Sequence, residues 1–178
     1  EPPTEARGAE TLFRWFNQTE EEEEEEGPSE IVTDRPDFTE ASSTVGANVF
    51  QIETGYTYVR DRADGITFRS HSLPETLLRV GMFADWFEFR LAQNYLNERL
   101  ADTDGPFFAR GLTDLYIGAK FALTEQSGVL PEMVLMPQAV VPTGDDDFNN
   151  RQALPGLNWL YGWDVNDFIS VGGSTQGN

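Results

Sequence analysis

Six charged side chains stand in short segments where polar and apolar residues alternate, a spacing that places them on one face of a β-strand. They carry both signs and come from distant parts of the sequence: Glu53, Arg79, Glu88, Arg90, Asp114 and Lys120. Opposite charges on one face of a sheet can pair across neighbouring strands. The chemistry that this pattern predicts is therefore a set of ion pairs. These pairs either brace a narrow barrel interior or line a path that selects solutes, and the sequence leaves both roles open.

Patterns for catalysis and metal binding are missing from the sequence. His71 is the single histidine, so a Ser-His-Asp triad would depend on it, and there is no nucleophile elbow, phosphate-binding loop or histidine-rich motif. Residues 145–149 begin like a calcium-binding EF-hand loop, but Asn150 and Gly156 occupy the positions that require Gly and Glu. The absence of cysteine excludes disulfides and thiolate metal sites. We therefore expect no catalytic residue, cofactor or metal, and a protein that is not an enzyme.

The net charge of −19 is concentrated at the N-terminus, where residues 1–40 hold fourteen carboxylates and three arginines. Such a balance repels nucleic acid and anionic lipid headgroups, and we exclude nucleic-acid binding. The run of seven glutamates predicts a disordered acidic segment over residues 1–33. Within it, residues 12–16 could dock a periplasmic or surface protein partner, or they form only a transient aromatic cluster in a linker.

Seven segments of alternating polarity follow and predict the strands that position the charged residues. They lie at about 47–60, 66–82, 87–95, 112–123, 131–142, 154–163 and 168–175. No run approaches the apolar length of a membrane helix. The connections at 61–65, 96–110 and 143–152 fall at one end, and the shorter turns at 83–86, 124–130 and 164–167 at the other. Two-sided strands joined by alternately long and short connections indicate a transmembrane β-barrel, with apolar side chains toward lipid and polar ones toward a lumen.

Short motifs in a fixed order over residues 34–170 strengthen this interpretation. They are Asp34-Arg-Pro-Asp-Phe-Thr-Glu40, Gln51-Ile-Glu-Thr-Gly-Tyr56, Arg79-Val-Gly81 with Asp85, Glu88 and Arg90, Gly111-Leu-Thr-Asp114 with Gly118-Ala-Lys120, Pro131-Glu132 with Leu135, Pro137 and Pro142-Thr-Gly144, and Pro155-Gly-Leu-Asn158 with Tyr161, Trp163 and Asp164. In this order they resemble the meta-pathway phenol-degradation family of outer-membrane proteins. The resemblance implies an all-β, antiparallel up-and-down transmembrane barrel that is transporter-like, and it implies no particular solute.

We therefore divide the chain into the acidic segment, residues 1–33, and a barrel domain, residues 34–178. Single-chain bacterial barrels have even strand numbers, so seven strands predict an incomplete portion that is truncated at its C-terminal end; the alternative is that several copies assemble to close the wall. The expected function is porin-like: passive transport or binding of small hydrophobic or aromatic solutes in the outer membrane of a Gram-negative cell, with lipid as a partner and the N-terminus in the periplasm. The alternative is a non-catalytic structural or partner-binding surface protein, either a soluble secreted β-sandwich or a ligand-binding barrel.

Overall fold

The protein is an all-β structure. The computed structural model describes residues 11–13, 31, 33, 42–102, 105–166 and 168–177, so the predicted acidic segment lies almost wholly outside the described residues. In the described part of the chain, no α-helix has the length and apolar character needed to cross a membrane. The strands are β1 (Phe50–Ala63), β2 (Ile66–Gly81), β3 (Phe87–Asp102), β4 (Gly105–Leu112), β5 (Leu115–Thr124), β6 (Glu132–Val141), β7 (Leu154–Asn166) and β8 (Ile169–Gly177).

These strands form one antiparallel sheet in the order β1-β2-β3-β5-β6-β7-β8, and β4 pairs with β3. The first part of β3 pairs with β5 and the later part with β4, which makes β4 and β5 successive parts of one long strand with an irregularity at Thr113 and Asp114. Counted in this way, seven strands run up and down and curl into a half-barrel, as predicted. Within the described residues, β1 and β8 each have a neighbour on one side only.

The long connection predicted over residues 96–110 is wrong. Strand β3 continues to Asp102 and β4 begins at Gly105, and the two pair as an extended hairpin. The apolar alternation stops near Tyr95 because polar residues such as Asn97 occupy the outer face beyond it, but backbone pairing continues. The turn at 64–65 is likewise a two-residue connection, with Asp64 and Gly65 both at positive φ as a type I′ turn requires. The connections therefore do not alternate in length as the sequence suggested.

One register shift decides which residues of β2 face inward. Strand β2 has an extra residue between Ser72 and Glu75 relative to both of its neighbours, β1 and β3. Because strand residues alternate faces, the extra residue reverses the parity of β2 beyond this point. Glu75 and Leu77 are buried on one side of the shift, and Ser70 and Ser72 are buried on the other.

The two faces of the sheet differ in polarity. On the inner face, Arg79, Glu88 and Lys120 are each 0% exposed. On the outer face, Phe50 and Ile52 are each 62% exposed. Apolar side chains also fill part of the inner face, chiefly Val134, Met136 and Leu160 of β6 and β7. The core of the half-barrel is therefore mixed, and the surface around it is the more apolar part.

Candidate functional site

All the charged residues singled out in the sequence are buried on the inner face of the sheet. They are Glu53 on β1, Arg79 on β2, Glu88 and Arg90 on β3, Asp114 between β4 and β5, and Lys120 on β5. Five of them meet near one end of the sheet, and Asp114 serves a separate loop. Whether the five select solutes stays a prediction, but their geometry can be described in full.

We call these five residues the inner cluster, and Glu88 lies at its centre. Arg79 binds it in a bidentate manner, with Nε 2.8 Å from Oε1 and the second terminal nitrogen 2.9 Å from Oε2. A terminal nitrogen of Arg90 lies 3.8 Å from Glu88 Oε1, and Lys120 is the direct cross-strand neighbour of Glu88 on β5. Arg79 also bonds Glu53 Oε1 at 3.2 Å. Planar bidentate pairs of this kind are the stronger class of charge-assisted hydrogen bond.

The register of the sheet explains why a carboxylate is needed there. Arg79 and Arg90 are directly opposite each other on β2 and β3. Two like charges at opposite positions repel, and burial strengthens the repulsion. Glu88 stands diagonally from Arg79 and two residues before Arg90 on the same face, so its negative charge separates the two guanidinium groups.

The segment before β1 crosses the inner face, and we call residues 42–48 the interior strap. The carbonyl of Ser43 accepts hydrogen bonds from Lys120 Nζ at 3.3 Å and from Arg79 at 3.4 Å. The backbone N–H of Val45 donates to Glu88 Oε2 at 2.9 Å. The charged residues thus bind the strap, and the strap occupies the space between them and the open side of the half-barrel.

The turn between β2 and β3 holds the other end of the strap. Asp85 accepts a hydrogen bond from the backbone N–H of Ala47 at 2.6 Å, and its carbonyl accepts one from the Thr44 hydroxyl. At Gly81 a Cβ atom would lie 1.6 Å from the carbonyl oxygen of Gly46. Only glycine at position 81 therefore allows the strap to lie this close to β2.

Asp114 anchors a loop and does not join the inner cluster. Its two carboxylate oxygens accept hydrogen bonds from the backbone N–H groups of Gly144 and Asn150, each at 2.8 Å. These bonds, above all that from Asn150, lower the pKa of the Asp114 carboxyl. Next to it, Asp145 accepts a bond from the N–H of Leu112 at 2.7 Å. The acidic loop between β6 and β7 is thereby fastened across the irregularity that separates β4 from β5.

The acidic loop contains three consecutive aspartates, residues 145–147. Of the residues that the structure describes, no group of three or more His, Cys, Asp or Glu side chains is placed to hold a metal ion. Asp145 has a structural role, because its carboxylate holds the loop to Leu112. A cavity of about 340 Å³ lies next to the strap, lined by residues that include Ser42 of the strap, Glu132 of β6, Leu160 of β7 and Gly172 of β8.

Sequence reasoning missed the interior strap and the apolar part of the inner face. Small residues such as Ser43 and Gly46 allow the strap to fit, but no periodic pattern marks them as part of an interior. Val134 and Met136 do share a parity, although Pro131 and Pro137 blur the alternation of that segment. A search for charged inward residues alone therefore could not identify the strap or the apolar inward residues.

Comparison with known families supports the resemblance noted in the sequence. A family model with the description "Putative MetA-pathway of phenol degradation" matches residues 33–175. The match includes the interior strap, the inner cluster and nearly all of the sheet. No curated protein and no solved structure matches the chain.

Proposed function

This chain belongs to that phenol-degradation family, and on this premise we propose that it forms the wall of an outer-membrane β-barrel that passively admits or binds small hydrophobic or aromatic solutes. One observation carries the proposal: a cluster of charged residues is buried on the inner face, beside the apolar residues of β6 and β7, while large apolar residues are exposed on the outer face. An exposed apolar surface of this extent is unfavourable in water and favourable against lipid hydrocarbon. The same inversion argues against the soluble alternatives, which need an apolar interior.

The height of the outer apolar surface matches a membrane. On β3 the outward residues are Phe87, Phe89, Leu91, Gln93 and Tyr95, so four of the five are apolar or aromatic. The nine residues from Phe87 to Tyr95 extend about 26 Å along the strand at about 3.3 Å per residue. With a strand tilt of about 40°, the band is roughly 20 Å tall, compared with about 25 Å for the apolar band of known outer-membrane barrels. Strands β5 and β6, with ten residues each, fit the same thickness.

Aromatic side chains lie at both limits of this band. At one limit, the rings of Phe83, Phe87 and Phe121 contact one another, with centroids 5.1–5.2 Å apart in successive pairs. At the other, Tyr58 and Tyr95 lie on the outer face and are partly exposed. Aromatic girdles at the two membrane interfaces have this distribution.

In this proposal, any solute path through the interior is narrow. The strap and the cluster of Arg79, Glu88 and Lys120 occupy the interior near the turn at 82–86. A solute that passes there meets cations whose charge is largely matched by carboxylates, an environment suited to small molecules of low charge. The family description, which refers to phenol degradation, makes a small aromatic solute the natural candidate. We place the N-terminus, and with it the strap, on the periplasmic side.

Fluorescence quenching tests whether the outer face meets lipid. Trp159 is 44% exposed on the outer face, whereas Trp86 is 7% exposed. Two single-tryptophan variants are compared in vesicles of brominated lipid, each with the remaining tryptophans replaced by phenylalanine. The variant that keeps Trp159 should be strongly quenched and the one that keeps Trp86 weakly. A protein that stays in aqueous solution without detergent, or equal quenching of both variants, would refute the barrel proposal.

Solute passage requires its own experiment. The full chain is reconstituted in planar bilayers and liposomes, and ion selectivity and phenol entry are measured. Joint replacement of Arg79, Arg90 and Lys120 by glutamine should alter the selectivity or the entry rate, whereas Arg151→Gln, in the loop between β6 and β7, should alter neither. A wild-type protein that inserts but shows no conductance, no solute entry and no solute binding would leave a structural barrel in place of a transporter.

A further inference from the structure

Five arginines gather on the outer face of the two hairpins that extend beyond the apolar band. We call them the arginine belt: Arg60, Arg62, Arg69, Arg99 and Arg110. Arg69 is the direct cross-strand neighbour of both Arg60 and Arg99. Arg110 stands one pair lower, opposite Asn97, and Arg62 one pair higher. All five are exposed. The same two hairpins contain five carboxylates in sequence, so what distinguishes the five arginines is that strand parity places all of them on one face.

The sheet supplies no counter-charge on that face. The other outward residues at these levels are uncharged, among them Tyr58, Thr67 and Phe108. Two carboxylates of these strands, Asp61 and Glu98, have the opposite parity. Asp61 accepts a hydrogen bond from the backbone N–H of Arg62 at 2.7 Å, and Glu98 accepts one from the inward Ser70 at 3.3 Å. In the described part of the chain, none of the five arginines forms a salt bridge. Like charges at directly opposite positions destabilise a sheet, so the folded protein holds a row of cations that an external anion would stabilise.

The height of the belt identifies that anion. On the outer face of β3, Tyr95 ends the apolar band, Asn97 follows, and Arg99 comes next. In a membrane, the layer directly beyond the hydrocarbon contains the lipid headgroups. Guanidinium groups bind phosphate in a bidentate manner, which suits them to headgroup phosphates. The guanidinium of Arg99 lies over the Phe108 ring at 5.0 Å, a position that leaves its edge N–H groups free to donate.

We propose that the arginine belt binds the phosphate groups of the lipids that surround the barrel in the outer leaflet. The inference rests on the proposed membrane function. It differs from the expectation that the acidic chain repels anionic headgroups, because charges are screened beyond about 8–10 Å and a lipid responds to the local surface. Fourteen of the carboxylates belong to residues 1–40, whereas the belt belongs to strands β1 to β4.

The test uses the full chain folded in neutral detergent micelles. Binding is measured for diphosphorylated lipid A, for lipid A without its phosphates, and for inorganic phosphate. The diphosphorylated lipid should bind most tightly, and its affinity should fall as salt concentration rises. Arg69→Gln should weaken binding about fivefold, and joint replacement of Arg60, Arg69 and Arg99 about a hundredfold. Arg151→Gln removes an exposed arginine elsewhere and should leave the affinity unchanged.

A second variant separates lipid binding from a structural role of the belt. Arg69→Glu places a carboxylate between Arg60 and Arg99, so it should raise the melting temperature in neutral micelles while lowering the affinity for phosphorylated lipid further than Arg69→Gln does. Equal effects of Arg69→Gln and Arg151→Gln, or equal binding of lipid A with and without phosphate, would overturn the proposal. So would arginine-dependent binding of inorganic phosphate without preference for the lipid.

The outcome also distinguishes this inference from the function on which it rests. A chain that does not enter even neutral phosphatidylcholine vesicles refutes the membrane barrel, and the inference is refuted with it. A chain that enters neutral vesicles normally but shows no phosphate dependence refutes the arginine belt alone.

Discussion

Replacement of Glu88 by glutamine tests the inner cluster most directly. Glutamine keeps the shape of the side chain and an oxygen that can accept the Val45 N–H, but it removes the negative charge that Arg79 binds at 2.8 and 2.9 Å. Both partners are 0% exposed, so water cannot replace the lost charge. Loss of one partner of a buried ion pair costs about 3–5 kcal/mol because the other charge stays buried without compensation. We expect Glu88→Gln to lower the free energy of unfolding by that amount.

The matched control is Glu98→Gln on the same strand. Glu98 has the same parity as Glu88, but it is only half-buried and bonds Ser70 at a long 3.3 Å. Its replacement should cost less than about 1 kcal/mol. Both variants are unfolded with urea in detergent micelles and followed by tryptophan fluorescence. If Glu88→Gln costs no more than Glu98→Gln, the inner cluster is not what holds the strap and the three strands together.

A double-mutant cycle between Glu88 and Arg79 then isolates their interaction. Arg79→Met removes the cation and adds an apolar side chain, and the two changes together remove both charges of the Arg79–Glu88 pair. The double variant should therefore lose less free energy of unfolding than the sum of the two single losses, with a coupling energy of about 1–3 kcal/mol. Additive losses would show that the bidentate geometry carries no net stabilisation.

Three further changes address the strap, the outer face and the acidic loop. Gly81→Ala should lower the free energy of unfolding in urea by about 1–3 kcal/mol because the new methyl group collides with the strap. Gly172→Ala, where the nearest atom lies 3.6 Å from the new Cβ, should cost much less. Equal losses would contradict the close contact at Gly81. Ile117→Arg should lower the free energy of unfolding in lipid vesicles by about 2–4 kcal/mol, and Asn97→Arg should lower it by less than about 1 kcal/mol. If Ile117→Arg has no effect, the assignment of the two faces is reversed. Because its pKa is lowered, the ionised Asp114 carboxyl stabilises the fold at pH values above its ordinary pKa of about 3.9. The free energy of unfolding that Asp114→Asn loses in urea should therefore be constant above that pH and should shrink as the pH falls through the lowered pKa. A loss that does not depend on pH would contradict the role of Asp114 as an anchor.

Much of the fold could be predicted because one rule, alternation of faces, holds along most of the chain. The parity of Glu88 and Arg90, and that of Leu115 and Ile117, places charges and apolar residues on opposite faces, as the structure has them. The prediction became wrong where polar residues occupy the outer face beyond the apolar band. There the segment around Asn97 resembles a loop in composition, but its backbone pairs as a hairpin.

The interior strap could not be predicted because it contacts β2, β3 and β5 through its backbone. Its bonds to Arg79 and Lys120 use the carbonyl of Ser43, and that to Glu88 uses the N–H of Val45. Backbone groups are the same at every position, so the sequence carries no residue type that marks such contacts. The one signal is Gly81, whose missing side chain makes room for the strap, and its role becomes apparent only in three dimensions.

The two groups of arginines show why register, and not composition, decides what a charge does in this sheet. Arg79 and Arg69 are ten residues apart on β2, a spacing that would place both on the inner face of a regular strand. The extra residue between Ser72 and Glu75 reverses the parity, so Arg79 faces inward to two carboxylates and Arg69 faces outward between two arginines. The inward arginine is neutralised by the protein itself. The outward one has its charge available to the surroundings, so a shift of one residue separates a group that stabilises the fold from one that can bind lipid.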